Sequence, residues 1–173
     1  MLDFWKARQV KTTAIDLLAP FAGKRDRDKA LIEPDAWLHP HVVGFLAMFV
    51  TAVARRRVGR LGQSALGDAQ TGVLAALSGL GPDLIGEEVL LLSAQRHPAF
   101  EEGCRGALAF FRTIFRDTGS DGPDGDPMIA LLAIAKAPIQ TGLIRSEHDQ
   151  ALLAEIWAEH VDAYLSARMN RSN

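Results

Sequence analysis

This sequence has very little cysteine, and it lacks the short motifs that mark most catalytic and cofactor sites. Its single cysteine, Cys104, excludes an internal disulfide framework and any thiolate-rich zinc or iron–sulfur site. It contains no His-Glu-x-x-His pair, Walker loop, dinucleotide fingerprint or Gly-x-Ser-x-Gly elbow. The formal net charge is only -2, so no general basic field favours nucleic acid as a partner.

A long apolar run is missing as well. The strongest one, Val42 to Ala54, is much shorter than the about 20 residues with which a helix spans a bilayer. The N-terminal residues interleave charged and apolar groups and lack the apolar centre of a signal peptide. We therefore expect residues 42–54 to form a buried core helix in a cytoplasmic protein. Peripheral membrane attachment through this helix and the following arginines, Arg55 to Arg57, stays open as an alternative.

What the sequence does contain is helical periodicity. Hydrophobic residues make up 48% and charged residues 23%, which is the balance of an ordinary globular domain. Apolar side chains recur at intervals of three and four, as at Phe100, Cys104, Ala107, Phe111 and Ile114. Because no stretch shows the alternation of a strand, the predicted fold class is all-α. We expect a single-domain compact bundle of about six to seven helices that cross at mixed angles.

Proline, glycine and charge divide this predicted domain, residues 1–173, into three parts. Residues 1–22 form an N-terminal helical arm, which packs on its own core or on a second copy. Residues 23–30 are a charged linker, and residues 34–170 are the helical core. Within the core, Pro40 predicts a helix start, and Gly81-Pro82 predicts the end of the third helix. Asp83 is a predicted cap of the fourth helix, and residues 128–137 form one further alanine-rich helix.

Glu88 is one of two polar residues that helical geometry places among apolar neighbours. It lies four residues after Leu84 and four before Leu92, so its carboxylate projects from the apolar face of its helix. An unpaired carboxylate is costly to bury. We therefore expect Glu88 to meet a cation or a hydrogen-bond donor, or to lie at an interface.

His160 has the same character, because it lies between Ile156 and Tyr164 on the predicted inner face of the last helix. One interpretation pairs Glu88 with His160, or with an arginine, inside the pocket of a small-molecule-binding protein or an enzyme. The other interpretation makes them a hydrogen-bonded structural pair, or has the helix N-terminus stabilise Glu88. The sequence leaves both interpretations open.

The densest charge on the chain is the cluster Arg55, Arg56, Arg57 and Arg60. Such a cluster can bind the phosphates of nucleic acid or of anionic lipid, or it can stabilise the C-terminal end of a helix. No aromatic interleaving, phosphate loop or recognition helix accompanies it. We therefore expect no nucleic-acid partner.

No metal or other cofactor is expected. The five histidines are dispersed, and the proline between His39 and His41 spaces that pair awkwardly for one ion. The acidic loop that begins at Asp117 fails the EF-hand pattern, because Gly119 and Met128 occupy the third and twelfth ligand positions.

These observations favour a function based on interaction. With catalytic motifs missing, a high apolar content and a separable N-terminal arm, we expect a non-enzymatic, bacterial-type cytosolic adaptor or regulatory protein that self-associates. We predict no catalytic residues. The alternatives are a small-molecule pocket or enzyme that uses Glu88 and His160, and the peripheral membrane protein described above.

Overall fold

Six helices account for most of the residues described in a computed structural model of the chain, which are 2–22, 34–115 and 147–167. They are α1 (Leu2–Ala22), α2 (Pro40–Val58), α3 (Gln63–Ser78), α4 (Pro82–Ala94), α5 (Pro98–Phe115) and α6 (Glu147–Trp157). A short 3-10 helix, Pro34–Leu38, precedes α2. Helix α6 continues through a π-helical turn, Ala158–Asp162, into a final α-helical turn, Ala163–Ala167. These ranges hold no strand, so the all-α prediction is confirmed.

Several predicted segments fall outside the described residues. They are the charged linker 23–30, the acidic loop that begins at Asp117 and the predicted helix at 128–137.

The predicted helix start near Pro40 is confirmed. Pro40 is the first residue of α2, and the ring of His39 before it accepts a hydrogen bond from the backbone N–H of His41. The predicted break at Gly81-Pro82 separates α3, which ends at Ser78, from α4, whose first residue is Pro82 and which has no side-chain cap. The predicted cap at Asp83 is wrong, because Gly81 occupies the cap position and Asp83 lies in the first turn.

Helix α2 lies at the centre of the protein, with α1, α3 and α5 packed against it. Its fully buried side chains include Val42, Val43, Phe45, Leu46, Phe49, Val50, Ala52 and Val53. Residues 42–54 are therefore the expected core helix. Membrane attachment through this helix does not hold, because its apolar side chains are already covered by protein. In the described ranges, no helix combines the length and the apolar character needed to cross a bilayer.

The N-terminal arm packs on its own core. Val10, Ala14 and Leu18 of α1 are fully buried, and the helix contacts α3 and α2. Its last turn reaches the aromatic centre of the core, where the ring of Phe21 lies 5.1 Å from that of Phe110. Its first turn lies beside the loop that joins α2 to α3, since a methyl group on Gly62 would approach an oxygen of Asp3 to 3.1 Å.

Glycine brings α2 and α5 unusually close together. A Cβ atom at Gly103 would lie 2.0 Å from the carbonyl oxygen of His41, and one at Gly44 would lie 2.1 Å from the carbonyl oxygen of Phe100. Any larger residue at either position would force the two backbones apart. This close contact lies in the first turns of both helices, and it determines the geometry of the site described next.

Candidate functional site

The site is a pair of histidines that joins the start of α2 to the π-helical turn near the C-terminal end. Nε2 of His41 lies 2.9 Å from Nδ1 of His160. The two rings are nearly coplanar, with an interplanar angle of 8° and centroids 5.2 Å apart. This combination describes two imidazoles joined edge to edge by a hydrogen bond rather than stacked face to face.

Aromatic rings close the site on two sides. The ring of Tyr164 lies over His41, with centroids 4.1 Å apart, and its other contact is with the ring of His39 at 4.6 Å. Phe45 lies beside His160, at a centroid distance of 6.0 Å. These contacts leave His41 fully buried and His160 half-buried.

A glutamate faces the other ring nitrogen of His41. Oε2 of Glu102 lies 3.9 Å from Nδ1 of His41, which is buried and has no hydrogen-bond partner among the residues that the structure describes. A carboxylate only accepts hydrogen bonds, so its presence favours the proton of neutral His41 on Nδ1. Nε2 of His41 then accepts a hydrogen bond from the Nδ1–H of His160. Glu102, His41 and His160 thus form a line that runs from a solvated carboxylate to a second imidazole.

Burial keeps His41 neutral. The pKa of His41 is lowered from 6.5 to about 4, chiefly because the buried ring loses the hydration that would stabilise its charge. His160 lowers the pKa further, whereas Glu102 raises it and so opposes the shift. The pKa of Tyr164 is raised, first by burial and then by the charges of Glu102 and Glu159.

Two local features of the backbone make this pair possible. A Cβ atom at Gly106 would lie 2.4 Å from Nδ1 of His160, so the glycine provides the space for the ring. The π-helical turn places His160 toward α2, and it also lets Nε1 of Trp157 donate to the carboxylate of Asp162, five residues later. Single π-helical turns inside α-helices are frequent at functional sites.

The second nitrogen of the half-buried His160, Nε2, is the atom of this site that is open to chemistry. It has no hydrogen-bond partner among the described residues. It is also absent from the nitrogens that are both buried and without a partner, so solvent can reach it. A neutral imidazole nitrogen at this place can accept a proton or a hydrogen bond. The 2.9 Å bond leaves no space for a metal ion between the two rings, since each metal–nitrogen bond needs about 2 Å. Within the described ranges no group of three or more metal-binding side chains exists.

The proposed pairing of Glu88 with His160 is not what the structure shows. His160 bonds to His41, while Glu88 is half-buried on α4, which packs on α3 and α2. Glu88 makes no hydrogen bond or ion pair with the residues that the structure describes. A cleft of about 620 Å³ between α3 and α4 is lined by its neighbour Glu87, with Asp68 and Asp83, and Glu88 is not part of the lining.

The four arginines of the predicted cluster lie in different environments. Arg56 is buried, and its guanidinium carbon lies 5.1 Å from the centre of the Phe115 ring. It is therefore a packing residue and cannot bind an external phosphate. Arg57 and Arg60 are exposed, and Arg55 is half-buried. The cluster thus offers two fully exposed cations where the sequence suggested four.

His41 is the site residue that the sequence did not predict as a partner of His160. The signal was present in the glycines, because Gly44, Gly103 and Gly106 mark places where helices approach closely. Comparisons with known proteins add no identity, since no protein-family model, curated protein or solved structure matches this chain. The site is therefore interpreted from its own geometry.

Proposed function

We propose that this chain is a non-enzymatic helical interaction protein of the bacterial cytoplasm, an adaptor or regulatory protein that self-associates through the outer face of α4. The observation that carries the proposal is the exposure of three leucines on this one helix. Leu84, Leu90 and Leu91 expose 47%, 67% and 50% of their surface. Leu84 lies seven residues before Leu91 and therefore on the same side of the helix, and Leu90 is adjacent to Leu91. Exposed apolar residues that lie together mark interaction sites more often than scattered ones do.

The outer face of α4 has the charge distribution that self-pairing requires. Asp83 and Glu87 lie near its N-terminal end, and Arg96 follows its C-terminal end with its side chain 81% exposed. The Nε–H of Arg96 donates to Glu101 at 3.0 Å, and the remaining N–H groups of the exposed guanidinium are available to a second carboxylate. In an antiparallel contact between two copies of α4, the carboxylates of one copy face the arginine of the other. A two-fold dimer uses the same surface patch on both subunits, so one such helix is sufficient.

Glu88 fits this proposal as well. It borders the exposed leucines, and it makes no ion pair within the described part of the chain. The sequence predicts that this carboxylate meets a cation or a hydrogen-bond donor, or lies at an interface. Self-association through α4 would place it at an interface. The cytoplasmic location is supported by the single cysteine, Cys104, which is buried and has no second cysteine to form an internal disulfide.

Native mass spectrometry and light scattering over a range of concentrations test the proposal. We expect a dimer at micromolar concentration, and at least a tenfold weaker association for Leu90→Lys combined with Leu91→Lys, because a buried cation replaces apolar contact. Phe4→Lys is the matched control, since Phe4 is equally exposed but lies on α1. A monomer well above micromolar concentration, or a control as strongly impaired as the α4 variant, would contradict the proposal.

A second candidate function is small-molecule binding at the half-buried His160, which is favoured by its Nε2 atom. The sequence predicts a pocket that uses Glu88 and His160. In the structure the residues beside His160 are His41 and Glu102, so this candidate uses them and not Glu88. Titration of nitrogen-15-labelled protein with a fragment library should shift the imidazole signals of His160 and His41 and leave the exposed His148 unchanged. If no fragment shifts these two signals selectively, this candidate is rejected.

A further inference from the structure

The first turns of α1 expose two aromatic side chains. Phe4 and Trp5 are 68% and 63% exposed, and their rings meet edge to face with centroids 6.3 Å apart. Both residues lie outside the buried stripe of α1, which begins at Ala7 and continues through Val10. An exposed Trp-Phe pair is unfavourable in water unless another apolar phase receives it.

Exposed arginines lie at the same end of the molecule as this pair. Arg8 is exposed and lies four residues after Phe4 and three after Trp5, so it shares their side of the helix. The contact between Asp3 and the loop at Gly62 brings the end of α2 to the same place, and the exposed Arg57 and Arg60 with it. We call this set, Phe4, Trp5, Arg8, Arg57 and Arg60, the aromatic–arginine end.

We infer that the aromatic–arginine end docks on the surface of an anionic lipid bilayer. Tryptophan and phenylalanine insert their rings at the depth of the lipid headgroups, while arginines beside them contact the phosphates. Each cation near an anionic surface contributes roughly a fivefold gain in binding. Asp3 is the one carboxylate in the first fifteen residues, so little opposing charge comes from this part of α1.

The shape of this end favours a bilayer over a protein or a nucleic acid. The two rings project from the start of a helix instead of lining a groove, and a fluid surface accepts projecting side chains without a complementary shape. Nucleic-acid binding would call for a helix or strand that enters a groove, or for rings that stack with bases. The docking is shallow and does not use the buried apolar side chains of α2. It is also independent of self-association through α4.

Trp5 provides its own reporter for the experiment. The chain has three tryptophans, and the other two, Trp37 and Trp157, are buried. Vesicles of phosphatidylcholine, with and without phosphatidylglycerol, are added to the full chain at low salt. We expect sedimentation with the anionic vesicles alone, together with a blue shift of the emission that disappears in Trp5→Phe. High salt should weaken binding at least tenfold, because the interaction is screened.

Matched variants locate the surface. Trp5→Ala, and separately Arg57→Glu with Arg60→Glu, should each weaken sedimentation at least tenfold. Leu152→Ala and Arg105→Glu, which alter an exposed leucine and an exposed arginine outside both proposed surfaces, should bind like the original protein. All these side chains are exposed, so circular dichroism and the melting temperature should confirm an unchanged fold.

Three results would overturn the inference. The first is equal binding to neutral and anionic vesicles, and the second is sedimentation without a change in Trp5 emission. The third is the absence of vesicle binding, whether or not a single-stranded oligonucleotide or an acidic protein binds at the same residues.

Discussion

The two ends of α2 hold their polar residues in opposite ways. At the start of the helix, His41 is buried, bonded to His160 and covered by Tyr164, and this arrangement depends on Gly103 and Gly106. At the other end, Arg57 and Arg60 extend into solvent, and Arg56 alone is covered. Buried polar groups are sensitive to small changes in packing, whereas exposed ones tolerate substitution. Substitutions at the start of α2, the histidine end, should therefore lower stability strongly. Substitutions of the exposed arginines at its C-terminal end should have little effect on stability.

The largest expected effect is that of Gly103→Ala. The added methyl group would lie 2.0 Å from the carbonyl oxygen of His41, which is backbone and cannot turn away. We expect a loss of about 3 kcal/mol or more in the free energy of unfolding, measured by urea denaturation. Gly67→Ala in α3 is the control, because nothing lies within 4 Å of the new atom. It should stabilise the protein by about 0.5–1 kcal/mol, and a loss similar to that of Gly103→Ala would contradict the comparison.

The second prediction concerns pH and the histidine end. The folded pKa of His41 is about 4 and the ordinary value is 6.5, so the unfolded chain binds an extra proton between these values. Stability should therefore fall as the pH is lowered from 6.5 toward 4, by about 3 kcal/mol in total. His41→Gln should flatten this part of the stability–pH curve. The curve of His148→Gln, a change on the exposed side of α6, should follow that of the original protein.

The third prediction compares two adjacent arginines. Arg56→Ala removes a buried side chain that lies over Phe115, so we expect a loss of about 1–3 kcal/mol in stability. Arg57→Ala alters an exposed side chain and should stay within about 0.5 kcal/mol. Thermal or urea unfolding of the two variants measures the difference. If the two losses are equal, Arg56 does not contribute through packing.

The smallest effect is expected for the thiol at the histidine end. Burial raises the pKa of Cys104 to about 12, and its Sγ lies 3.4 Å from the carbonyl oxygen of Gly44. The thiol should therefore react with Ellman's reagent at neutral pH far more slowly in the folded protein than in urea. Rapid modification of the folded chain would show that the contact between α2 and α5 opens readily.

Much of the fold followed from short-range pattern. The proline at the start of α2, the Gly81-Pro82 break before α4 and the apolar stripe of α5 predicted these three helices near their observed positions, because helix formation depends on neighbours three and four residues away. The same geometry predicted that His160 points inward. It did not find the partner of His160, because His41 lies 119 residues away along the chain.

Glu88 and Arg56 show where the same geometry was insufficient. A helical wheel gives the direction of a side chain, but it does not say whether another helix lies there. Helix α4 has neighbours in α3 and α2, and its Glu88 remains half-buried. Helix α2 is surrounded by other helices, and this cover extends to its C-terminal turn. Arg56 is therefore buried there, although Arg55 and Arg57 on either side of it are more accessible.

The sequence by itself determined that the fold is helical, that α2 begins near Pro40, and that a single cysteine excludes an internal disulfide and a thiolate-rich metal site. These properties depend on composition and on local spacing. Only the tertiary structure decided that His41 meets His160 and that the arginines divide into buried and exposed ones. The first outcome depends on the close approach of α2 and α5 at Gly44 and Gly103 and on the space at Gly106. The second depends on Phe115 of α5, whose ring lies beside the Arg56 guanidinium. Both are properties of packing between segments distant in the chain.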